Sequence, residues 1–183
     1  MKSLLKPVLF SIFAVLCLTS LTFAQERGEG ERASPNAAVS QNIGNTIVSI
    51  TYGRPAIKNR SYFVADAQLA PTGSVWRTGA NEATAITFST DVMVGGHPVS
   101  AGTYSLYSIP GDKEWTIIIN KKLSWGTQYT QEEDVLRVST NAISKKVTPA
   151  EWFSIYFDSL STTKAHLNLN WGSTNVAIPI SIK

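Results

Sequence analysis

The chain has 183 residues, 43% of them hydrophobic, 10% aromatic and 16% charged. That apolar share is enough for a buried core and excludes disorder over most of the length. The formal net charge is +3, from 16 basic and 13 acidic residues. Two of the lysines stand in the first six positions, so no basic stripe remains to mark a nucleic-acid surface.

Met1-Lys2-Ser3-Leu4-Leu5-Lys6 precedes an apolar run from Val8 to Leu21, broken by Ser11, Thr19 and Ser20, and then Thr22-Phe23-Ala24. A positive start, an apolar stretch and a small-x-small ending predict a secretory signal peptide over 1–24, cut after Ala24. The run is shorter than the roughly 20 residues of a membrane span, so no stable membrane insertion is expected after cleavage. Cys17, the sole cysteine, follows Leu16 and not a small residue, which argues against a lipid anchor. Cleavage would leave 159 residues with 14 basic against 13 acidic and no cysteine. Disulfide frameworks, thiol nucleophiles and zinc-cysteine sites fall together in such a chain. The expected location is the periplasm or the outside of the cell.

Residues 25–36 are polar and charged without apolar periodicity, which predicts a flexible leader ahead of a domain over 37–183. From there the signal is period two, with alternate side chains on opposite faces of a strand. In chain order it is carried by Val48, Ile50 and Tyr52; Ile86 and Phe88; Tyr104 and Leu106; Trp115, Ile117 and Ile119; and, more weakly, Leu136 and Val138. It continues through Phe153, Ile155 and Phe157; Leu167, Leu169 and Trp171; and Val176, Ile178, Ile180 and Ile182. Turn residues separate these runs at Gly95-Gly96, Pro110-Gly111-Asp112 and Trp171-Gly172-Ser173. The prediction is all-β: a single antiparallel β-sandwich, jelly-roll-like, of about eight or nine strands with minimal helix. Ala65–Leu69 and Thr148-Pro149-Ala150-Glu151 could each hold a helical turn at most. Pro179 cannot donate a ladder hydrogen bond, which places the last strand at an edge or a bulge.

Two long segments escape the alternation, 53–83 with Arg54, Arg60 and Arg77, and 121–134 with Trp125 and Tyr129. Long irregular stretches in a compact domain are usually functional or disordered, and their aromatic content speaks against disorder. Trp76-Arg77-Thr78-Gly79-Ala80-Asn81-Glu82-Ala83-Thr84 is the densest polar run and leads into a buried strand. Arg77 suits bidentate binding of a carboxylate, with Asn81 and Glu82 as amide and acid partners. The alternative is a structural network in which Arg77 pairs with Glu82 and Asn81 satisfies a tight arch. Arg54, extended by Pro55, could stand at a sheet edge or a pocket rim. With Arg60 and Arg77 it could line a pocket for an anion.

Glu132-Glu133-Asp134 admits two readings. Two of these acids could flank a glycosidic bond, or the run is a solvated loop whose last acid pairs with Arg137. Trp125 could stack on a sugar or pack onto the sandwich. His97 and His166 have no metal-ligand spacing, and no HExxH, P-loop, GxSxG or GxGxxG occurs. No metal or cofactor is therefore expected, and catalytic residues stay unassigned. The candidate binding residues are Arg54, Arg77, Asn81, Glu82, Trp125, Asp134 and Arg137.

Tyr52-Gly53-Arg54-Pro55, Val75 to Thr84, Ala101-Gly102-Thr103-Tyr104-Ser105-Leu106 and Asp134-Val135-Leu136-Arg137-Val138, in this order, resemble domain of unknown function family 2911. The resemblance spans roughly Ser34 to Lys183. It implies an exported bacterial β domain without an established activity and supplies no catalytic residues. The functional expectation is a non-catalytic module of the cell envelope that binds a small molecule, a glycan or an envelope protein. The alternatives are a hydrolase using acids among Glu82, Glu132, Asp134 and Glu151, and a purely structural envelope component.

Overall fold

The computed structural model describes residues 27–28, 30–143 and 148–182. The signal-peptide reading of 1–24 lies outside them. Eleven strands form two antiparallel sheets packed face to face. The first contains β1 (Asn36–Ile43), β2 (Thr46–Gly53), β3 (Thr84–Phe88), β6 (Gly102–Ile109), β7 (Glu114–Asn120) and the first part of β8 (Asp134–Ile143). The second contains β9 (Ala150–Asp158), β10 (Lys164–Gly172) and β11 (Thr174–Ser181), with the short hairpin of β4 (Val92–Val94) and β5 (His97–Val99) at its side.

All eight predicted strands are present, and the period-two residues are those that face inward. Val48, Ile50, Ile86, Phe88, Leu106, Ile117 and Ile119 of the first sheet meet Phe153, Ile155, Leu167, Leu169, Val176, Ile178 and Ile180 of the second in one core. Three strands go beyond the prediction. β1 is a polar edge strand whose alternate residues are only half-buried, and β4 and β5 have three residues each, too few to show a period. Ala65–Leu69 is a turn, and Ala150 already belongs to β9. Among the described residues the helical content is one 3-10 turn, Gln131–Glu133, formed by the acidic run itself. Pro179 lies between the two short pairings of β11 with β8 and β4, and its carbonyl accepts the Gly95 N–H at 2.8 Å.

Two connections close the sandwich along its sides. β8 pairs with β7 over Asp134–Asn141 and then with β11 at Ala142 and Ile143, so one strand belongs to both sheets. On the other side, the segment after β2 crosses to β9, where Ile57 N–H donates to Glu151 O at 3.0 Å and Phe153 N–H to Pro55 O at 2.9 Å. The Arg54 side chain reinforces this crossing, with Nε on Phe153 O and Nη2 on Ser154 Oγ, both at 2.9 Å.

One end of the core is aromatic. Trp76 and Trp171 stack at 5.6 Å with their planes 11° apart, and Phe63, Trp115 and Phe153 meet them edge-on. Edge-to-face and offset contacts of this kind add roughly 0.5–1.5 kcal/mol per pair beyond area burial. A second, smaller cluster lies on the outer face of the first sheet, where Tyr129 of the 121–130 loop covers Ala83, Tyr107 and Ile118.

Candidate functional site

The Trp76–Thr84 run forms an arch against the end of β6. Trp76 and Ser108 exchange both backbone hydrogen bonds, at 2.7 and 2.9 Å. Inside the arch the Trp76 indole N–H donates to Gly79 O at 3.1 Å, Thr84 Oγ1 to Thr78 O at 2.6 Å, and Thr78 Oγ1 meets Ser108 Oγ at 2.9 Å. Every polar side chain in these contacts is used to hold the turn. The shape requires left-handed backbone at Thr78 (φ 50°) and Asn81 (φ 66°), with Gly79 at 152°. Asparagine tolerates that region; threonine does so at a cost.

Glu82 leaves the arch on its outer side and is buried, 5% exposed. Its partners come from the polar residues ahead of β1. Arg32 Nη1 lies 3.0 and 2.8 Å from the two carboxylate oxygens, Gly28 N–H donates to Oε1 at 3.3 Å, and Arg27 Nη1 stands 3.7 Å from Oε2. Arg27 also donates to the Glu82 carbonyl at 3.1 Å. Burial alone would push the Glu82 carboxyl up, but the hydrogen bonds from Arg32 and the backbone and the charge of Arg27 outweigh it and bring the pKa to about 2. Glu82 is thus paired with Arg32 and Arg27, and Arg77 is left without it.

Arg77 is half-buried, its stem pressed against Gly126, where a Cβ would collide with it. Its Nε is buried without a hydrogen-bond partner, and among the described residues no carboxylate lies within ion-pair distance. Burial lowers its pKa, and the Tyr107 hydroxyl opposes that shift. Trp125, the residue before Gly126, bridges Glu82 through the backbone and is 49% exposed.

Asp134 and Arg137 form a separate knot. Arg137 Nη1 is 2.8 Å from Asp134 Oδ2, the Tyr129 hydroxyl donates to the same oxygen at 2.6 Å, and Asn120 Nδ2 donates to Oδ1 at 2.8 Å. Burial first, and then the hydrogen bond to Asp134, pushes the Tyr129 hydroxyl up to about 12. The loop reading of this acid run, with Asp134 on Arg137, is the one the structure shows.

A cleft of about 260 Å³ opens beside the arch. Arg60, Gln68, Arg77 and Asn81 line it, along with Ser34 from ahead of β1, and Trp76 and Trp171 reach it from the aromatic end of the core. Both indole N–H groups are already engaged, Trp76 with Gly79 O and Trp171 with Glu151 O at 3.1 Å each. Asn81 donates from Nδ2 to Ser34 O at 3.1 Å, and Arg60 from Nε and Nη2 to Ile57 O and Ala56 O at 3.1 and 2.7 Å.

The seven candidate residues therefore fall into different places. Asn81 lines the cleft; Arg77 belongs to the same wall, but its side chain lies against Gly126 and beside Tyr107, on the side of the arch where Glu82 and Trp125 lie together; Arg54 braces β9, and Asp134 and Arg137 hold the 121–130 loop. Of the four acids weighed for hydrolysis, Glu82 and Asp134 are neutralised by arginines, Glu132 and Glu151 are exposed, and none lines the cleft. Gln68, Trp171, Arg27 and Arg32 were not among the candidates. Arg27, Arg32 and Trp171 reach the site from positions remote in sequence from the arch; Gln68 is nearer but stands in a segment with no periodicity, and the alternation that includes Trp171 marks a strand and not a site.

Fold and cleft together define a closed β-sandwich with one small polar cleft at the aromatic end of its core. A protein-family model described as "Protein of unknown function (DUF2911)" matches residues 34–180, and the chain belongs to that family. Comparison with curated proteins and with solved structures gave no match.

Proposed function

We propose that this is an exported, non-catalytic binding module of the cell envelope that takes a small molecule into the cleft beside the arch. Export rests on the pattern of residues 1–24. One observation carries the binding reading, the coincidence of the cleft with strained backbone. Among the described residues, seven non-glycine residues have positive φ; six of them, Lys58, Asn59, Phe63, Ala70, Thr78 and Asn81, fall between 58 and 81, and Ala70 and Asn81 line the cleft itself. Conformations of this kind cost on the order of 1–3 kcal/mol each and concentrate at ligand clamps and active sites. Ala70, at φ 49°, gains nothing from its side chain that would explain the strain. The volume is slightly below the roughly 300–1,000 Å³ of sites for drug-sized ligands, which fits a compact metabolite.

The test is a thermal-shift screen with a metabolite panel on the wild type and on Gln68→Trp, which enlarges an exposed residue of the lining. Compounds that raise the midpoint of the wild type should have no effect on the filled cleft. A panel without a hit, or hits that shift Gln68→Trp equally, would remove this reading. The purely structural alternative is favoured by the closed network around Glu82, and it expects no ligand at all.

A further inference from the structure

We propose that the free edge of β1 is a homodimer interface, where the strand pairs antiparallel with β1 of a second copy of this chain, Ala38 lying opposite Ser40 of that copy. The interface lies at the edge of the first sheet and is independent of the cleft.

The direction of the backbone groups of β1 follows from one contact. Arg54 N–H donates to Pro35 O at 2.9 Å, and from there the register with β2 runs unbroken, from Asn36 opposite Gly53 to Ile43 opposite Thr46. In an antiparallel pair alternate residues exchange hydrogen bonds with the neighbouring strand, and the residues between them point their groups the other way. Ala37, Val39, Gln41 and Ile43 therefore bond to β2, while Asn36, Ala38, Ser40 and Asn42 turn their N–H and C=O groups outward. The far side of β2 agrees, because Ile47 O and Gly53 O accept from Ser89 and Ala80, away from β1. Asn36, Ala38, Ser40 and Asn42 are all exposed. Among the described residues, the partner found for these outward groups is the Gln41 amide, which donates to Asn42 O at 2.9 Å.

The other edges are closed off. On β9, the crossing segment takes Glu151 O and Phe153 N–H, Ile155 N–H donates to the Tyr52 hydroxyl at 3.0 Å, and Phe153 O accepts from Arg54. β5 is three residues long and contains Pro98. Short strands, prolines and covering segments are how sheets avoid edge-to-edge pairing. β1 has eight residues in regular register, with no charge, no proline and no bulge.

The edge is also self-complementary about a two-fold axis. With Ala38 opposite Ser40 of the copy, Asn36 falls opposite Asn42, so every outward donor meets an outward acceptor; Asn42 O keeps a second lone pair for this bond. The axis passes through Val39. That side chain packs against the core yet is only half-buried, and Val39 of the copy would cover it. Like charges directly opposite each other destabilise a strand pair, and an uncharged strand meeting itself brings none together.

The experiment is sedimentation equilibrium on protein recovered from cells expressing the full chain. The mass should rise from that of a monomer towards twice that value as concentration is raised. Ser40→Pro removes an N–H that points away from β2, so the fold keeps its ladder. The dimer loses that bond on both sides of the axis, and its dissociation constant should rise about tenfold or more. In a second arm, oxidation of an equal mixture of Ala38→Cys and Ser40→Cys should link the two variants, because directly opposed residues stand about 5.5 Å apart at Cα, within disulfide range. Either variant alone would meet its own cysteine on the diagonal, at about 7–8 Å, and should link far more slowly. The wild type, whose sole cysteine is Cys17, is the control. A protein that stays monomeric throughout, a dimer untouched by Ser40→Pro, or a single variant that links as fast as the mixture would each overturn the proposal. The cysteine mixture leaves every backbone group in place, so it decides even if Ser40→Pro does not fold.

Discussion

Gly53 and Ala80 touch backbone to backbone: the Ala80 N–H donates to Gly53 O at 3.2 Å, and a Cβ on Gly53 would run into the Ala80 carbonyl. The end of β2 and the arch are thereby locked together, and with them the segments Tyr52-Gly53-Arg54-Pro55 and Val75 to Thr84. Gly79 completes the contact from the other side, where an added Cβ would stand 2.9 Å from Gly53 O and 3.0 Å from Thr84 Oγ1.

Gly53→Ala and Gly79→Ala should each lower stability by roughly 1–3 kcal/mol, the usual range for forcing atoms into a packed site. Gly79 has the added strain of φ 152°. Urea denaturation checks this; a midpoint equal to the wild type for Gly53→Ala would mean that the arch is not held by this contact.

Glu82 should make stability depend on acid. Its folded pKa of about 2 lies below the ordinary 4.5, so its contribution is present above pH 4.5 and is lost as pH falls from there towards 2. Glu82→Gln should flatten the stability profile across that window, and Arg32→Ala should move the Glu82 pKa upward. Denaturation midpoints measured through the acid range decide the matter.

Tyr129 acts at the opposite end of the scale. Its hydroxyl is raised from 10 to about 12, so its stabilising effect is complete below pH 10 and is lost as pH rises through 12. Asp134→Asn removes the charge that the hydroxyl faces and should bring tyrosinate formation down towards the ordinary range, as seen in ultraviolet titration.

Arg77 separates a side chain that the fold needs from one that it does not. A desolvated cation without a partner contributes little to the empty fold, so Arg77→Gln should leave its stability unchanged or slightly raised. If Arg77 served the fold, the same substitution would lower the midpoint clearly. Arg54→Gln is the control, because its bonds to Phe153 O and Ser154 Oγ tie the crossing segment to β9 and their loss should cost about 1 kcal/mol or more.

How far these features could be read from the sequence depends on how local they are. The strands with an apolar face announce themselves because burial on one side imposes period two, from Val48–Tyr52 to Val176–Ile182. β1 escaped because Asn36-Ala37-Ala38-Val39-Ser40-Gln41 is an edge strand with a half-buried inner face. The Asp134–Arg137 pair was legible because its partners are three residues apart. Glu82 was not, because Arg27 and Arg32 lie 55 and 50 residues away in a stretch with no periodicity. The cleft was hidden for the same reason: its walls come from Ser34, the 55–81 segment and Trp171, which only the closed sandwich brings together. The crowded glycines and the left-handed Thr78 are consequences of that closure, and residue types alone do not reveal them.

β8 ends the argument in a different place, in how the protein comes apart. Its first eight residues are a rung of one sheet and its last two a rung of the other, so neither sheet can be stripped away with its hydrogen bonds intact. Heat or denaturant should therefore meet a single cooperative unit. Near- and far-ultraviolet signals should be lost in one coincident transition, with no stage at which one sheet outlives its partner.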